Sequence, residues 1–593
     1  MTKIEQKKRI SVILDDLAIE PWQKSIFDAI EDPARFEVII VKKPNSDVAA
    51  KPQTGHTGLN VLSRAVDRFE KTLSTQLFAI VFGTKRGGRN KAVDFYELDS
   101  RPRSWDRSLH NHGEITELDQ PGLDLVLDLS RTPDPDRLSH KARLGYWYLT
   151  LGETPLNAAP TALAGFKEVS QNIPNIETEL RIKLPEQDAT ITLKKGCFRT
   201  FLWSWNENER QLRYKAAAMI TDALDDLAHK PDFALPAAGA NITQSNAVTT
   251  QSAPGPAAMV FATTKCMWRI VKETLTRVLT NEKWSLHIAE GSNLDADLTK
   301  SQAIEPPANS YWADPFFFER DGKTFIFFEE YLYPKSKGVI SVAEFTENHG
   351  QWRAGDAEII IETDYHMSYP FMFEFGDELY MVPESNADNC IGLWRCKSFP
   401  HDWQKVSNLI DDISATDTTL HFQDGKWWMF TNIDRTGLGD HCSELHIFYA
   451  DDPTGNNWTP HPANPVVRDA RCARMAGPLL NTDDNKLIRP AQINERYYGH
   501  ALALYEITKL DCENYEEVLK RRIDPDWRTG IYRNHHISGA SGHVVVDACR
   551  DQYKFENLFK PAITKPSTSY SSQDDKKSNR TKPKGQLLTE HAG

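Results

Sequence analysis

Two hydrophobic patterns divide this chain. In its first third, short continuous apolar runs alternate with helical stretches. Ile10–Leu14 (ISVIL) and Phe36–Val41 (FEVIIV) flank a helical stretch from Pro21 to Ile30, a strand–helix–strand order that opens an α/β domain with a parallel sheet. Gly122–Leu129 (GLDLVLDL) and Arg143–Leu151 (RLGYWYLTL) read as two further strands, Thr190–Leu193 as part of a later hairpin, and Glu207–Leu227 as a long amphipathic helix. In the second half, aromatic runs sit on either side of a tight Asp/Gly turn: FFFERDGKTFIFFEE from Phe316, FMFEFGDELYMVPES from Phe371 and HFQDGKWWMFTN from His421. Weaker copies follow in LLNTDDNKLIRPAQ from Leu479 and HISGASGHVVVDA from His536. Each copy predicts a β-hairpin, because Asp-Gly and Gly-Asp accept the positive φ of two-residue turns. Hairpins recurring about every fifty residues predict the blades of a β-propeller, and five copies predict five blades.

These patterns divide the chain into an α/β domain over residues 1–229, a connecting helix over 259–282 and a propeller over 283–555. The stretch 230–258, rich in Ala, Pro, Asn, Thr, Ser and Gln, reads as a flexible linker, and residues 556–593 as a disordered tail. The formal net charge of −13 disfavours nucleic acid as main partner, since phosphate binding wants a basic stripe. Fifteen Trp and 27 Phe suit sugar binding, where flat rings stack on pyranose faces, although propeller sheets also pack with aromatics. The eight cysteines form no CxxC pair or zinc spacing, so free thiols and no metal are expected. The N-terminus lacks a signal-peptide apolar core and no run reaches transmembrane length, which points to the cytoplasm. The turn after Leu14 holds no phosphate-binding glycines, and GTKRGGRNK from Gly83 lacks P-loop spacing, so no cofactor is expected.

The strand that begins each propeller blade lines the axis, so residues just before each aromatic run should face a central funnel. On this rule Trp312 and Asp314, His366 upstream of Tyr369-Pro370, Asp417, Arg474 with Gly477, and His535 with His536 hold equivalent places. The return strands add Glu329, Glu330, Glu384, Asn432, Arg489 and Gln492. Carboxylates converging on one axis are what chemistry at an anomeric carbon requires: one acid protonates the leaving oxygen, and a second acts as base or nucleophile. Asp314, Glu384 and Asp417 are the candidate catalytic acids. Trp312, Glu330, His366, Arg474, Arg489, Gln492, His535 and His536 are candidate substrate contacts. Arginines and imidazoles suit a carboxylate or phosphate on the ligand, and strand-end aspartates also serve simply as turn caps.

In ISVILDDL, GLDLVLDLS, GYWYLTLGE and the segment from Gly165, the N-terminal domain resembles the formyltransferase fold used on amino sugars and initiator tRNA. Working members carry an Asn-x-His pair, but the corresponding segment Tyr146-Trp147-Tyr148-Leu149 has no imidazole, which implies a degenerate domain used for binding or assembly. The stretches WADPFFFERDGKTFIFFEE, HMSYPFMFEFGDELYMVPESN, LWRCKSFPHDWQKV, DTTLHFQDGKWWMFTN and YRNHHISG resemble the N-terminal propeller of plant glucosamine inositolphosphorylceramide transferases and their bacterial relatives. That fold is similar in turn to five-bladed arabinanase, xylosidase and invertase propellers with an Asp-Pro in the first blade, here Asp314-Pro315. The resemblance implies that Asp314 is the base or nucleophile and that Glu384 or another inward carboxylate is the acid. The plant proteins carry a separate glycosyltransferase domain after the propeller, so the transferase activity in that family's name is not carried over by the resemblance. The ligand implied is a glycan, glycolipid or nucleotide sugar, for glycosyl transfer or hydrolysis. The alternatives are a non-catalytic glycan-binding scaffold and a formyltransferase acting on a nucleotide sugar.

Overall fold

The computed structural model describes residues 7–15, 19–43, 111–114, 122–130, 133–151, 154–155, 164–185, 187, 190–229, 254–482 and 484–554. The glycine-rich run from Gly83, residues 230–253 of the expected linker, and the tail lie outside them.

In the N-terminal domain, Lys8–Leu14 lies between Phe36–Lys42 and Leu125–Asp128, all parallel, with Asn111–Glu114 beyond Phe36–Lys42. Tyr146–Leu151 continues the parallel set, and Asn175–Lys183 and Thr190–Arg199 complete the sheet antiparallel. The apolar runs are buried because helices cover the sheet. The helix Trp205–His229 turns Leu212, Ala216, Ile220 and Leu224 onto Ile10, Val12, Leu125 and Leu180, which is the i, i+4 stripe that its sequence encodes.

The remainder is a five-bladed propeller of four-stranded blades, the first with one extra short strand. Blade I holds Ser310–Arg320, Lys323–Leu332, Lys337–Asn348 and Gln351–Ala354, and blade II holds Ser368–Phe375, Glu378–Glu384, Cys390–Ser398 and Asp402–Asp411. Blade III holds Ala415–Gln423, Lys426–Ile433, Leu445–Ala450 and Thr459–Pro460, and blade IV holds Leu480–Asn481, Leu487–Ile493, Ala501–Leu510 and Tyr515–Ile523. Blade V joins both ends of the domain, pairing Ile537–Ala540 and His543–Tyr553 with Thr280–Glu290 and Gln302–Ile304. The hairpin turns behave as their sequences demand: Asp321-Gly322 and Asp424-Gly425 all have positive φ. Between blades the aromatic faces interlock. Trp312 and Phe328 of blade I meet Leu286 and Ile288 of blade V, and Phe327 meets Met381 and Trp403 of blade II.

The connecting helix spans Pro256–Leu279, ending before the expected 282, because Thr280–Glu290 pairs residue for residue with His543–Tyr553. The apolar Trp284–Ile288 reads as the first propeller strand, as the structure shows, but the polar Asn281, Glu282 and Lys283 also belong to it, and their lack of apolar character hid that start in the sequence.

In an antiparallel meander, the start of each first strand and each loop between second and third strands lie at the same end. The N-terminal domain docks at that end. Cys197 exchanges backbone hydrogen bonds with the connector before blade IV, Cys197 N donating to Arg468 O at 3.1 Å and Ala470 N to Cys197 O at 2.8 Å. Asp222 pairs with Arg435 at 2.6 Å and with Arg468, Glu444 accepts from both guanidiniums, and Lys215 pairs with Asp440. Asp222→Ala is expected to lower stability by about 2 kcal/mol, less than a fully unpaired charge costs, because Glu444 still neutralises both arginines. Calorimetry should show an earlier unfolding onset; an unchanged trace would mean this contact does not hold the domains together.

Candidate active site

Blades I, II and III share one device at the axis. Their innermost strands are bulged after Ala313, Ser368 and Thr416, and the residue entering each bulge is left-handed: Asp314 at φ 49°, Tyr369 at 48° and Asp417 at 52°. In blade IV the corresponding connector residue is Gly477, at φ 143°. Left-handed backbone at a non-glycine residue costs on the order of 1–3 kcal/mol and clusters at functional sites. Opposite the residue before each bulge stands a polar return-strand residue: Glu329 faces Ala313, Glu384 faces Ser368 and Asn432 faces Thr416. Asp547 holds the comparable place in blade V, its N–H bonded to His536 O.

These groups form one buried network. Arg474 grips Asp417 with two bonds, Nε to Oδ2 at 2.7 Å and Nη2 to Oδ1 at 3.2 Å, and Gln492 Nε2 adds a third at 3.2 Å. Asp547 accepts the backbone N–H groups of Asp314 (3.1 Å), His535 (2.9 Å) and His536 (2.9 Å), and its Oδ2 lies 2.6 Å from His535 Nδ1. Asp314 Oδ1 lies 3.8 Å from His535 Nε2 and 3.6 Å from His536 Nδ1. Tyr369, fully buried, closes the axis below: its hydroxyl bonds Thr419 Oγ1 at 2.7 Å and Gly477 O at 3.0 Å. Trp284 stacks on His535 at 4.2 Å, and Tyr498 meets both His535 and the Arg474 guanidinium.

The charge states follow from this crowding. Burial pushes the Asp314 carboxyl up to about 7; Asp417 and Asp547 add to the rise, while His535 and Arg474 oppose it. Burial likewise lifts Glu329 well above the carboxylate range, with Asp314 and Glu384 reinforcing it, and raises Asp417 despite Arg474. Burial works against a charged His535, yet Asp547 and Asp314 hold that ring above the ordinary histidine value. Burial alone would raise Asp547, but His535 and His536 keep it low. His536 is driven down to about 3 by burial and stays neutral.

Asp314, Asp417, Arg474, Gln492, His535 and His536 thus meet at the axis. Glu384 stands half-buried beside it, accepting from Ser368 Oγ (2.7 Å) and Asn386 N (3.1 Å). His366 is at the rim, Nδ1 accepting from Gly338 N at 3.0 Å and Nε2 lying 3.4 Å from Glu329. Three expected contacts sit elsewhere. Trp312 is packed against Phe328 in the seam between blades V and I. Glu330 accepts from Ser341 within blade I. Arg489, fully buried, is turned outward to Glu517 at 2.6 Å, because blade IV's third and fourth strands bring that carboxylate under it. Sequence reasoning missed Asp547 and Tyr498; the charge ending the buried run Val544–Val546 was the available signal for the first. The solvent-facing depression bounded by His421, Asp424, Lys486 and Glu506 lies at the opposite, hairpin-turn end.

Asp314, His535 and Asp547 each offer a ligand atom within 4.8 Å of the others, so the donor set could accept a cation. The 2.6 Å contact of His535 with Asp547 and the three backbone donors on Asp547 already engage His535 and Asp547 without one.

The molecule is therefore a five-bladed propeller whose axis carries a buried carboxylate–histidine–arginine cluster. Residues 296–535 match the family model described as glucosamine inositolphosphorylceramide transferase 1, N-terminal. Glucosamine inositolphosphorylceramide transferase 1 of Oryza sativa subsp. japonica is 35% identical over 214 residues, 36% of this chain and 28% of the relative. The Arabidopsis thaliana protein of that name is 31% identical over 215 residues, covering 36% and 27%. The chain thus spans less than a third of the length of these curated relatives. Among solved structures, the catalytic domain of a Coprinopsis cinerea GH62 α-L-arabinofuranosidase is 11% identical with a TM-score of 0.33, over 44% of this chain and 97% of that one. A family 117 glycoside hydrolase from Zobellia galactanivorans is 11% identical with a TM-score of 0.29, over 46% and 91%.

Proposed function

We propose that the propeller binds a glycan or glycolipid precursor at the Asp314–Glu384–Asp417 end of its axis and processes it by glycosyl transfer or hydrolysis. The observation that carries this reading is Asp314: a buried carboxyl poised near neutrality beside other acids, on a strained backbone shared with Asp417. Asp314 suits the general acid, because it keeps its proton to about pH 7, and Glu384, better exposed and held by two donors, suits the base or nucleophile. This reverses the roles implied by the Asp-Pro resemblance. Arg474 and His535 supply cations for a phosphate or uronate on the ligand.

The test is calorimetric titration of sugars, inositol-phosphate glycosides and nucleotide sugars, followed by turnover assays on any binder. Glu384→Gln is expected to lose on the order of 10²–10⁴ in rate while affinity stays within a few fold. Full turnover in Glu384→Gln, or no binding by any of these classes, overturns the reading.

A second reading, a non-catalytic glycan-binding or scaffold protein, has one observation in its favour. Asp417 and Asp547 are already committed to internal partners, Arg474 and His535. It is the reading that survives if ligands bind and no product forms. For the N-terminal domain we keep a degenerate formyltransferase-like role in assembly, supported by its docking on blade III. Formyl transfer is disfavoured because the Tyr146–Tyr148 segment offers no imidazole, and the Tyr146 hydroxyl is engaged by Asp128. Binding of formyl-tetrahydrofolate by the whole chain would revive it.

A further inference from the structure

We propose that the helix Pro256–Leu279 is a peripheral membrane anchor whose occupant is an anionic lipid bilayer. Its first half is fixed to the N-terminal domain by Met259, Ala262 and Cys266, which pack on Val169 and Trp205, and by Arg269, which donates to Val169 O at 3.0 Å. Among the described residues, no other element covers the opposite face. Val260, Phe261, Met267, Trp268, Val271, Leu275, Val278 and Leu279 are between 37% and 67% exposed. At 3.6 residues per turn they fall within one arc of about 120°, interrupted only by Thr264. Exposed apolar residues scattered singly need no explanation, but a contiguous stripe of eight marks an interaction surface.

The chemistry of the stripe favours lipid over a second copy of the chain. The helix carries Lys265, Arg269, Lys272 and Arg277 against the single acid Glu273, a basic element in a chain of net charge −13. Lys272 and Lys265, which also donates to Ser170 O at 2.9 Å, border the stripe, while Arg269 holds the N-terminal domain and Arg277 pairs with Glu273 at 2.9 Å. Two such helices side by side would repel, whereas an anionic surface attracts them. A wide arc with Trp and Phe beside cations is the signature of a helix lying in the bilayer interface. No helix among the described residues is long and apolar enough to cross a membrane, so the mode is docking rather than spanning.

The helix is also joined to the site. It runs directly into Thr280–Glu290, where Glu282 pairs with Arg533 at 2.9 Å. Tyr497, itself 47% exposed, covers Arg533, and the adjacent Tyr498 touches Arg474 and His535. Docking of the helix therefore brings the bilayer to the end of the propeller where the acids lie. The anchor stands on the helix alone and holds even if the funnel only binds.

The test is co-sedimentation of the full chain with vesicles of equal parts phosphatidylglycerol and phosphatidylcholine, compared with pure phosphatidylcholine. Wild type is expected to bind the anionic vesicles, and Val271→Glu/Leu275→Glu to lose at least about tenfold in partitioning. The milder Val271→Ser/Leu275→Ser, with unchanged thermal melting and unchanged funnel-ligand affinity, should lose binding in the same direction. Hydrogen exchange of residues 260–279 should slow further when anionic vesicles are present. No binding to anionic vesicles, equal binding by the variants, or a dimer that the same variants dissociate would each overturn the proposal.

Discussion

Replacing Asp547 by asparagine is expected to destabilise the protein by about 3–5 kcal/mol, the cost of breaking a fully desolvated ion pair. Oδ1 of Asp547 takes the N–H groups of His535 and His536, while Oδ2 takes the N–H of Asp314 and lies against His535 Nδ1. An asparagine has one acceptor oxygen. Whichever way its amide turns, either the Asp314 N–H that joins blade I to blade V or the His535 and His536 N–H groups within blade V are left facing another donor, in a place that water does not reach. His535 also loses the anion that sustains its charge against burial. Urea unfolding should show a lower midpoint at unchanged slope. A shift worth less than about 1 kcal/mol would mean that the carboxylate is not the staple between these blades.

The legible parts of this molecule were those written in turn chemistry and in short-period apolar patterning. Asp321-Gly322 and Asp424-Gly425 announced hairpins because few other dipeptides accept positive φ twice in succession. The axial positions followed from repeat arithmetic, since Asp314, Tyr369 and Asp417 stand at the same offset before the turn residues Asp321, Gly376 and Asp424. What repeat arithmetic cannot supply is which way a long side chain turns once its strand is placed. Arg489 and Gln492 lie on one strand, yet Gln492 reaches Asp417 at the axis while Arg489 points to Glu517, a partner contributed by a strand nearly thirty residues later. Trp312 was misplaced for a related reason: an aromatic at a strand start serves a sugar or an interblade seam equally well, and only the neighbouring blade decides. Of the closing strand, the apolar Trp284–Ile288 is legible as a strand, but its polar start at Thr280–Lys283 is set by pairing with Arg550–Tyr553 at the far end of the domain.

Asp314→Asn should change the pH dependence of both stability and rate, in directions that the position of its carboxyl fixes. In the unfolded chain an aspartate releases its proton near pH 4, whereas burial holds Asp314 up to about 7 in the folded protein. Between those limits the native state keeps a proton that the unfolded state has lost, so this group makes folding less favourable as pH rises. The slope approaches roughly 1.4 kcal/mol per pH unit within the window, and it levels off above about 7. An asparagine cannot ionise. Relative to wild type, the variant should therefore gain stability steadily from about pH 4 to about pH 7 and hold a constant difference beyond. Its turnover should fall by on the order of 10²–10⁴, because the amide has no proton to give a leaving oxygen. Wild-type turnover should in turn decline as pH rises through about 7, where Asp314 gives up its proton. Chemical denaturation at several pH values separates the two effects from simple misfolding, since a damaged fold would lose stability at every pH alike. Parallel stability curves for the two proteins across the window would show that Asp314 is ionised throughout, and would remove it as the acid of the site.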